Sequence, residues 1–179
     1  VLYVGTLDFN KGMDRLIALL PALGGKKVVV IGHGPWHAQL SAAALQYPQL
    51  TLVSAQGAAQ LKDYYQRSKL FISLSRNESF GLVMTEAMAC GTPVVATTTD
   101  GSRMQLQHGI NGYLIDTQDE ATLLQVLGEK IQLLLSLPPA DYQQLQQACQ
   151  TSAKPYLLDK VAARLTEIYQ QLTTVPADN

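Results

Sequence analysis

Leu70-Phe-Ile-Ser-Leu-Ser-Arg-Asn-Glu78-Ser-Phe-Gly-Leu-Val-Met-Thr-Glu86-Ala-Met-Ala-Cys-Gly91-Thr-Pro-Val-Val-Ala-Thr97 contains a complete strand–helix–strand unit. Leu70–Leu74 and Pro93–Thr97 are short, continuous apolar runs bounded by Ser, Gly and Pro. Runs that are apolar throughout, rather than alternating, belong to strands buried on both faces, as in a parallel sheet. Between them Phe80–Ala89 reads as a helix, with Ser79 as its cap and Gly91 as its stop. Glu86 is the only charged residue from Ser79 to Thr99. An ionised carboxylate is costly to bury unless something pairs with it or hydrogen-bonds to it. Glu78 and Glu86 are therefore expected to face polar groups, and a ligand rich in hydroxyls would serve.

The same beat runs through the rest of the chain. Leu2–Val4, Val28–Ile31 and Leu50–Val53 are further strand-like runs, and a sixth strand, Tyr113–Ile115, follows the turn Asn111-Gly112. Helical patterns fill the gaps at Met13–Leu23, Trp36–Gln46 and Ala58–Arg67. Beyond the sixth strand come Asp119–Leu135, Pro139–Ala153 and Asp159–Leu172, with breaks at Pro138-Pro139 and Lys154-Pro155. This predicts an α/β fold: a doubly wound, parallel, six-stranded sheet with a helical C-terminal cap. Such sheets bind ligands beyond the carboxyl ends of their strands. The segments to inspect are thus Gly5–Gly12, Gly32–Pro35, Ser54–Gly57, Ser75–Gly81 and Thr98–Gly101.

Composition narrows the function. The 179 residues are 47% hydrophobic and 15% charged, with net charge −1, which indicates a packed globular chain without an electrostatic nucleic-acid footprint. No apolar run reaches the ~18 residues of a membrane-spanning helix. Cys90 and Cys149 stand in no metal or redox spacing, which fits a reduced, cytoplasmic protein. His37 and His108 lack carboxylate or cysteine partners at ligand spacing, so no metal site is expected, and His33 is expected as an exposed turn residue rather than a catalytic one. Trp36 is expected in the core. The chain opens in mid-strand at Val1-Leu-Tyr-Val-Gly5. The expectation is a single domain over residues 1–179, one piece of a longer two-domain chain.

A helix capped at Ser79 would turn the amides of Phe80, Gly81 and Leu82 toward solvent at its positive end, a cradle for a diphosphate. Gly81 would let a ligand approach the backbone closely. Glu86 would lie roughly 9–12 Å along the helix from Glu78 at ~1.5 Å per residue. That separation suits one carboxylate on a sugar and the other on a ribose.

The string from Ser75 to Thr97 resembles the signature of retaining GT-B glycosyltransferases, family 4 in particular, in which two glutamates separated by seven residues precede Ala-Met-Ala-x-Gly-x-Pro-Val-Val. Gly5-Thr6-Leu7-Asp8-Phe9-Asn10-Lys11-Gly12 resembles the family's Gly-Arg-Leu-x-x-x-Lys-Gly loop, with Thr6 in place of the arginine. Losing that arginine removes a bidentate phosphate clamp, and Arg103 is the candidate to replace it from another loop. Gly32-His33-Gly34-Pro35 resembles the family's Gly-x-Gly-Pro turn. Leu52-Val-Ser-Ala-Gln-Gly57 followed by Leu61-x-x-Tyr64-Tyr65 resembles the family's strand and loop that hold the base, with backbone groups near Ser54–Gln56 implied to read its edge. Asp100-Gly101-Ser102-Arg103-Met104 resembles Gly-Gly-x-x-Glu, with Asp100 and Met104 departing from it.

The resemblance spans Val1 to about Leu172 and implies the donor-binding, C-terminal domain of a metal-independent hexosyltransferase-like enzyme whose N-terminal acceptor domain lies outside this chain. It implies Glu78 and Lys11 as catalytic residues. It implies Gly5, Thr6, Lys11, Gly32, Gly34, Ser54, Gln56, Glu78, Ser79, Phe80, Gly81, Leu82 and Glu86 as donor-binding residues. No cofactor is implied, because the nucleotide-sugar, such as a UDP- or GDP-sugar, is a substrate. The implied partner is a glycan or lipid-linked acceptor, in polysaccharide or lipopolysaccharide assembly at the inner face of a membrane. A nucleotide- or glycan-binding module without transferase activity is the alternative, and an unrelated sugar-nucleotide epimerase or phosphorylase sharing the fold is a third reading.

Overall fold

The computed structural model describes residues 1–117 and 119–173. Residue 118 and residues 174–179 of the expected 1–179 domain lie outside the described residues. Six strands form one sheet: β1 (Leu2–Val4), β2 (Val28–Ile31), β3 (Leu50–Val53), β4 (Phe71–Ser73), β5 (Val94–Thr97) and β6 (Gly112–Ile115). They run in the order β3-β2-β1-β4-β5-β6 and every pairing is parallel. The direction of growth reverses between β1 and β4, where Leu2 stands opposite Phe71.

Residue type explains the order. β1 and β4 sit at the centre and, like β5, have every residue buried, whereas β3 and β6 at the edges keep partly exposed positions. Side chains alternate between faces. Tyr3, Val28, Val30, Ile72 and Val95 point into one core layer, where Leu16 and Leu19 of α1 (Met13–Leu19) and Leu40 of α2 (His37–Gln46) meet Leu127, Ile131 and Leu134 of α6 (Glu120–Ser136). Leu2, Val4, Ile31, Phe71, Val94 and Ala96 point into the other. That layer is closed by Tyr65 of α3 (Ala58–Arg67), Met84 and Met88 of α4 (Leu82–Ala89), and Cys149 of α7 (Pro139–Ala153). Each fully buried Leu or Phe contributes about 1.5–3 kcal/mol over its exposed state. Trp36, expected in the core, is only partly buried and packs against the first layer.

Boundaries differ from the sequence reading where proline or local chemistry intervenes. The first helix stops at Leu19 and a 3-10 turn spans Pro21–Leu23, because proline lacks the N–H that would continue the helix. A helix absent from the sequence reading, α5 (Asp100–Gln105), follows β5. It starts in a capping box: Thr99 Oγ1 accepts from the Ser102 amide at 3.2 Å, and Ser102 Oγ accepts from the Thr99 amide at 2.8 Å. The last helix, α8 (Leu158–Thr173), carries Leu158, Val161, Leu165, Ile168 and Leu172 at spacings of three and four, and all five are exposed.

Charged side chains tie the loop after β4 to α1 and α6. Arg76 donates two hydrogen bonds to Asp14, at 2.8 and 2.7 Å, and a third to the Phe9 carbonyl at 2.7 Å. Arg15 grips Glu120 through two nitrogens, at 2.7 and 2.8 Å, and the Leu74 carbonyl at 3.1 Å. Burial pushes the Asp14 carboxyl up, but the hydrogen bonds and charge of Arg76 outweigh it and hold the pKa below the usual value. Arg15 does the same for Glu120. A depressed carboxylate stabilises the fold above its unfolded pKa of about 4, and that stability is lost as pH falls through the folded value. Melting temperature measured from pH 7 downward is therefore expected to fall below about pH 4. Asp14→Asn should cost up to about 1 kcal/mol at neutral pH and make that acid decline shallower.

Candidate active site

A cavity of about 450 Å³ opens where the sheet reverses, between the carboxyl ends of β1 and β4. Tyr3, Gly5, Thr6 and Lys11 line it from β1 and its loop; Ser73, Ser75 and Glu78 line it from β4 and its loop. Ser79, Phe80, Gly81, Leu82 and Val83 close it at the start of α4. The Lys11 ammonium donates to the Glu78 carboxylate across the cavity wall, in an ion pair with side chains only 26% and 19% exposed. Lys11 is held by its own amide, which donates to Asp8 Oδ1 at 2.7 Å. The two loops are further stitched by Arg76 N–H to the Asn10 carbonyl at 2.7 Å and by Asn10 Nδ2 to the Asn77 carbonyl at 3.2 Å. Tyr3 donates its hydroxyl to the Thr6 carbonyl at 2.7 Å. Burial, then the nearby charges of Asp8 and Glu78, raise its pKa well above the usual phenol range.

The helix beside the cavity starts later than its chemistry suggested. Ser79 and Phe80 stay outside α4, and the cap is Gly81, at φ 80°, with no side-chain hydrogen bond. A side chain at Gly81 would need a strained left-handed backbone, and its Cβ would stand 2.7 Å from the Met84 methyl. Leu82 and Val83, rather than Phe80, thus supply the first helical amides, which have no partner within the helix. Their mouth is shaped from below by α5. Gln105, which is buried, donates to the Phe80 carbonyl and accepts from Thr85 Oγ1 at 2.6 Å. The Gly101 amide donates to the Glu78 carbonyl at 2.8 Å. Gly101 lies so close beneath the loop that an added Cβ would be 2.4 Å from the Phe80 carbonyl oxygen. The sequence signal for this support was Thr99-x-x-Ser102, a capping box with serine in place of the usual Glu or Gln.

Glu86 does not line the cavity of Lys11 and Gly81. It is exposed, accepts from the Tyr65 hydroxyl at 2.9 Å, and borders a second cavity of about 440 Å³ with Leu61, Lys62, Tyr65 and Cys90. A third cavity of about 250 Å³ is lined by Gly5, Thr6, Gly32, His33, Ala55, Gln56 and Leu61 among others. It shares Gly5 and Thr6 with the first and Leu61 with the second, so the three adjoin. Burial of the Cys90 thiol raises its pKa, with Lys62 opposing and Glu86 adding to the shift.

Other expected residues divide. Gly32 lines the third cavity, but its lack of a side chain serves the protein itself: a Cβ there would be 1.9 Å from the Gly5 carbonyl oxygen. Gly34 lines none of the three, and a Cβ on it would be 2.4 Å from the Leu7 carbonyl oxygen. These glycines let the loop after β2 lie flat on the loop after β1, where the Leu7 amide donates to the His33 carbonyl at 2.9 Å. Ser54 is exposed outside the cavities, and its carbonyl accepts from Gln56 Nε2 at 2.9 Å. Arg103 does not replace the missing arginine: it pairs with Asp116 at 2.9 Å on the surface, and neither it nor Asp100 lines these cavities. Among the described residues no cluster of His, Cys, Asp and Glu suits a metal ion.

Comparison with known proteins bears on the family and the fold. The sequence model of the family described as Glycosyl transferases group 1 matches residues 1–154. The D-inositol 3-phosphate glycosyltransferase of Xylanimonas cellulosilytica is 30% identical over 97% of this chain and 42% of its own length. That of Corynebacterium urealyticum is 37% identical over 66% of this chain and 27% of its own. This chain therefore spans less than half the length of these relatives. Among solved structures, sucrose-phosphate synthase from Thermosynechococcus elongatus superposes with a TM-score of 0.83 at 27% identity, over 96% of this chain and 45% of that one. The pneumococcal O-GlcNAc transferase GtfA, in complex with UDP and GlcNAc, gives 0.83 at 19% identity over 97% and 36%, a likeness of fold. With the family's model covering most of the sequence and a GT-B-type, Rossmann-like sheet carrying the cavity, the chain belongs to the group 1 glycosyltransferases.

Proposed function

We propose that this chain is the donor-binding half of a retaining glycosyltransferase, which moves a sugar from a nucleotide-sugar to an acceptor hydroxyl. One observation carries the reading: Lys11, Glu78 and the first amides of α4 converge on one cavity at the sheet's reversal point, where doubly wound folds take their ligands. A leaving diphosphate there gains charge that the Lys11 ammonium and the amides of Leu82 and Val83 stabilise. Glu78, displaced from Lys11 by the phosphates, accepts hydrogen bonds from the donor sugar and orients it. Gly5, Thr6 and Gln56 border the adjoining space toward the base, and Glu86 accepts the ribose hydroxyls. No step in this scheme needs a metal, and the leaving phosphate itself can take the acceptor's proton.

The acceptor, a glycan or lipid-linked hydroxyl in polysaccharide or lipopolysaccharide assembly, belongs to an N-terminal domain of the full-length enzyme. The exposed apolar face of α8 supports such a second domain. Among the described residues no helix is long and apolar enough to cross a membrane. In this reading the enzyme works in the cytoplasm, with peripheral contact at the membrane's inner face. Thr6 favours a second reading, a binding module without transfer, because the first cavity is lined by one cation and Glu78 already neutralises it.

Calorimetric titration of this chain with UDP, GDP and ADP tests the reading. One of them should bind, Lys11→Ala should weaken it about tenfold or more, and the chain alone should transfer no sugar. Binding of none, or binding indifferent to Lys11→Ala, overturns the assignment. Glu78→Gln frees Lys11 from its partner, so it should preserve or tighten binding of the free nucleoside diphosphate while weakening its sugar conjugate. For the domain pairing, Leu165→Glu with Ile168→Glu should shift the stability of this chain by no more than about 0.5 kcal/mol, yet destabilise the full-length protein in thermal melts.

A further inference from the structure

Tyr65 combines the burial of a core residue with the reach of a site residue. Its side chain is 2% exposed, and its ring meets Phe71 of β4 at 5.9 Å and 60°. Its carbonyl accepts from Thr92 Oγ1 at 2.7 Å, which ties the end of α3 to the turn after α4. One polar atom of this fixed side chain reaches out: the hydroxyl, which donates to Glu86 Oε2 at 2.9 Å. Glu86 itself is exposed, on a long side chain that would otherwise sample many rotamers.

We propose that Tyr65 is the positioning residue that fixes the Glu86 carboxylate, leaving its other oxygen to accept the vicinal 2′- and 3′-hydroxyls of a ribonucleotide. The inference rests on the nucleotide-sugar reading above and adds a source of selectivity to it: the site discriminates ribose from sugars lacking those hydroxyls because the acceptor is ordered before the ligand arrives. Burial first, then the Glu86 charge, raise the Tyr65 pKa far above the usual phenol range, so the hydroxyl stays a donor across physiological pH. Donation to Oε2 leaves Oε1 and the remaining lone pair of Oε2 to accept from a diol. Glu86 borders a cavity that joins the base-side cavity through Leu61, which puts the carboxylate beside the route a nucleoside would occupy.

The test titrates the wild-type chain, Tyr65→Phe, Glu86→Gln and the double variant with UDP, GDP and ADP, each paired with its 2′,3′-dideoxy counterpart. Tyr65→Phe keeps the ring packing and removes only the hydroxyl. It is expected to weaken the ribonucleotide up to about tenfold, the cost of ordering a Glu86 side chain that is no longer held beforehand, and to leave the dideoxynucleotide unchanged. In the Glu86→Gln background it should add nothing further. A merely structural role would lower the melting temperature and affect both ligands alike, and that result overturns the proposal. Unchanged ribonucleotide binding by Tyr65→Phe overturns it too, while leaving the nucleotide reading intact. A wild-type chain that binds no ribonucleotide overturns the nucleotide reading and this inference together.

Discussion

Lys11 and Glu78 come from loops that leave neighbouring strands, β1 and β4, at the one place where the sheet changes its direction of growth. Parallel strands on either side send their helices to opposite faces, so the loops diverge and leave a crevice between them. A cation from one loop and an anion from the other meet across that crevice. The tie is reinforced by Arg76, whose amide reaches Asn10 and whose guanidinium reaches Phe9 and Asp14. The site's shape therefore depends on polar contacts between loops, while the two apolar layers beneath hold the strand ends in register. Removing a core leucine would loosen the platform; removing a loop contact would change the geometry of the mouth alone.

The floor of that mouth belongs to α5. Six residues are too few for a stable isolated helix, and this one is held at its start by Thr99 and Ser102 and at its end by Gln105. Gln105 uses both ends of its amide, one on Thr85 within α4 and one on the Phe80 carbonyl just before it. Gly101 permits the close stacking of the two segments. The backbone from Glu78 to Gly81 is thus supported by residues twenty or more positions further along the chain. The asparagine-centred turn after α5 continues the scheme: buried Asn111 donates to the Gln105 carbonyl at 3.0 Å and accepts from the Gln107 amide at 2.8 Å.

Much of this was legible before any coordinates. Apolar runs such as Val28–Ile31 and Val94–Thr97 announce buried strands because only a doubly covered sheet hides both faces of a strand, and their number and spacing imply the parallel order. Lys11 and Glu78 were joined in one site only by the family resemblance, because the pairing of β1 with β4 joins segments about seventy residues apart that no local pattern links. What escaped was local. Ser79 is a good capping residue by chemistry, but the left-handed turn at Gly81 overrides it. α5 escaped because Asp100-Gly101-Ser102 has weak helix propensity and its support is tertiary. The packing role of Gly34 against Leu7 escaped because a glycine needed for a ligand and one needed for a neighbouring carbonyl look alike in sequence. That Glu86 lies on a neighbouring cavity follows from side-chain direction around a helix, which position along the chain does not reveal without a known start.

The mutual neutralisation of Lys11 and Glu78 bears on kinetics as well as on affinity. A cleft that presents a bare cation projects a field that draws anions inward from a distance. Here the nearest ammonium already has a carboxylate against it, and the whole chain carries a net charge of only −1. In the proposed reading an incoming anion would meet a mouth that is electrically quiet until contact, and its arrival at this chain would depend on random diffusion, with little sensitivity to ionic strength.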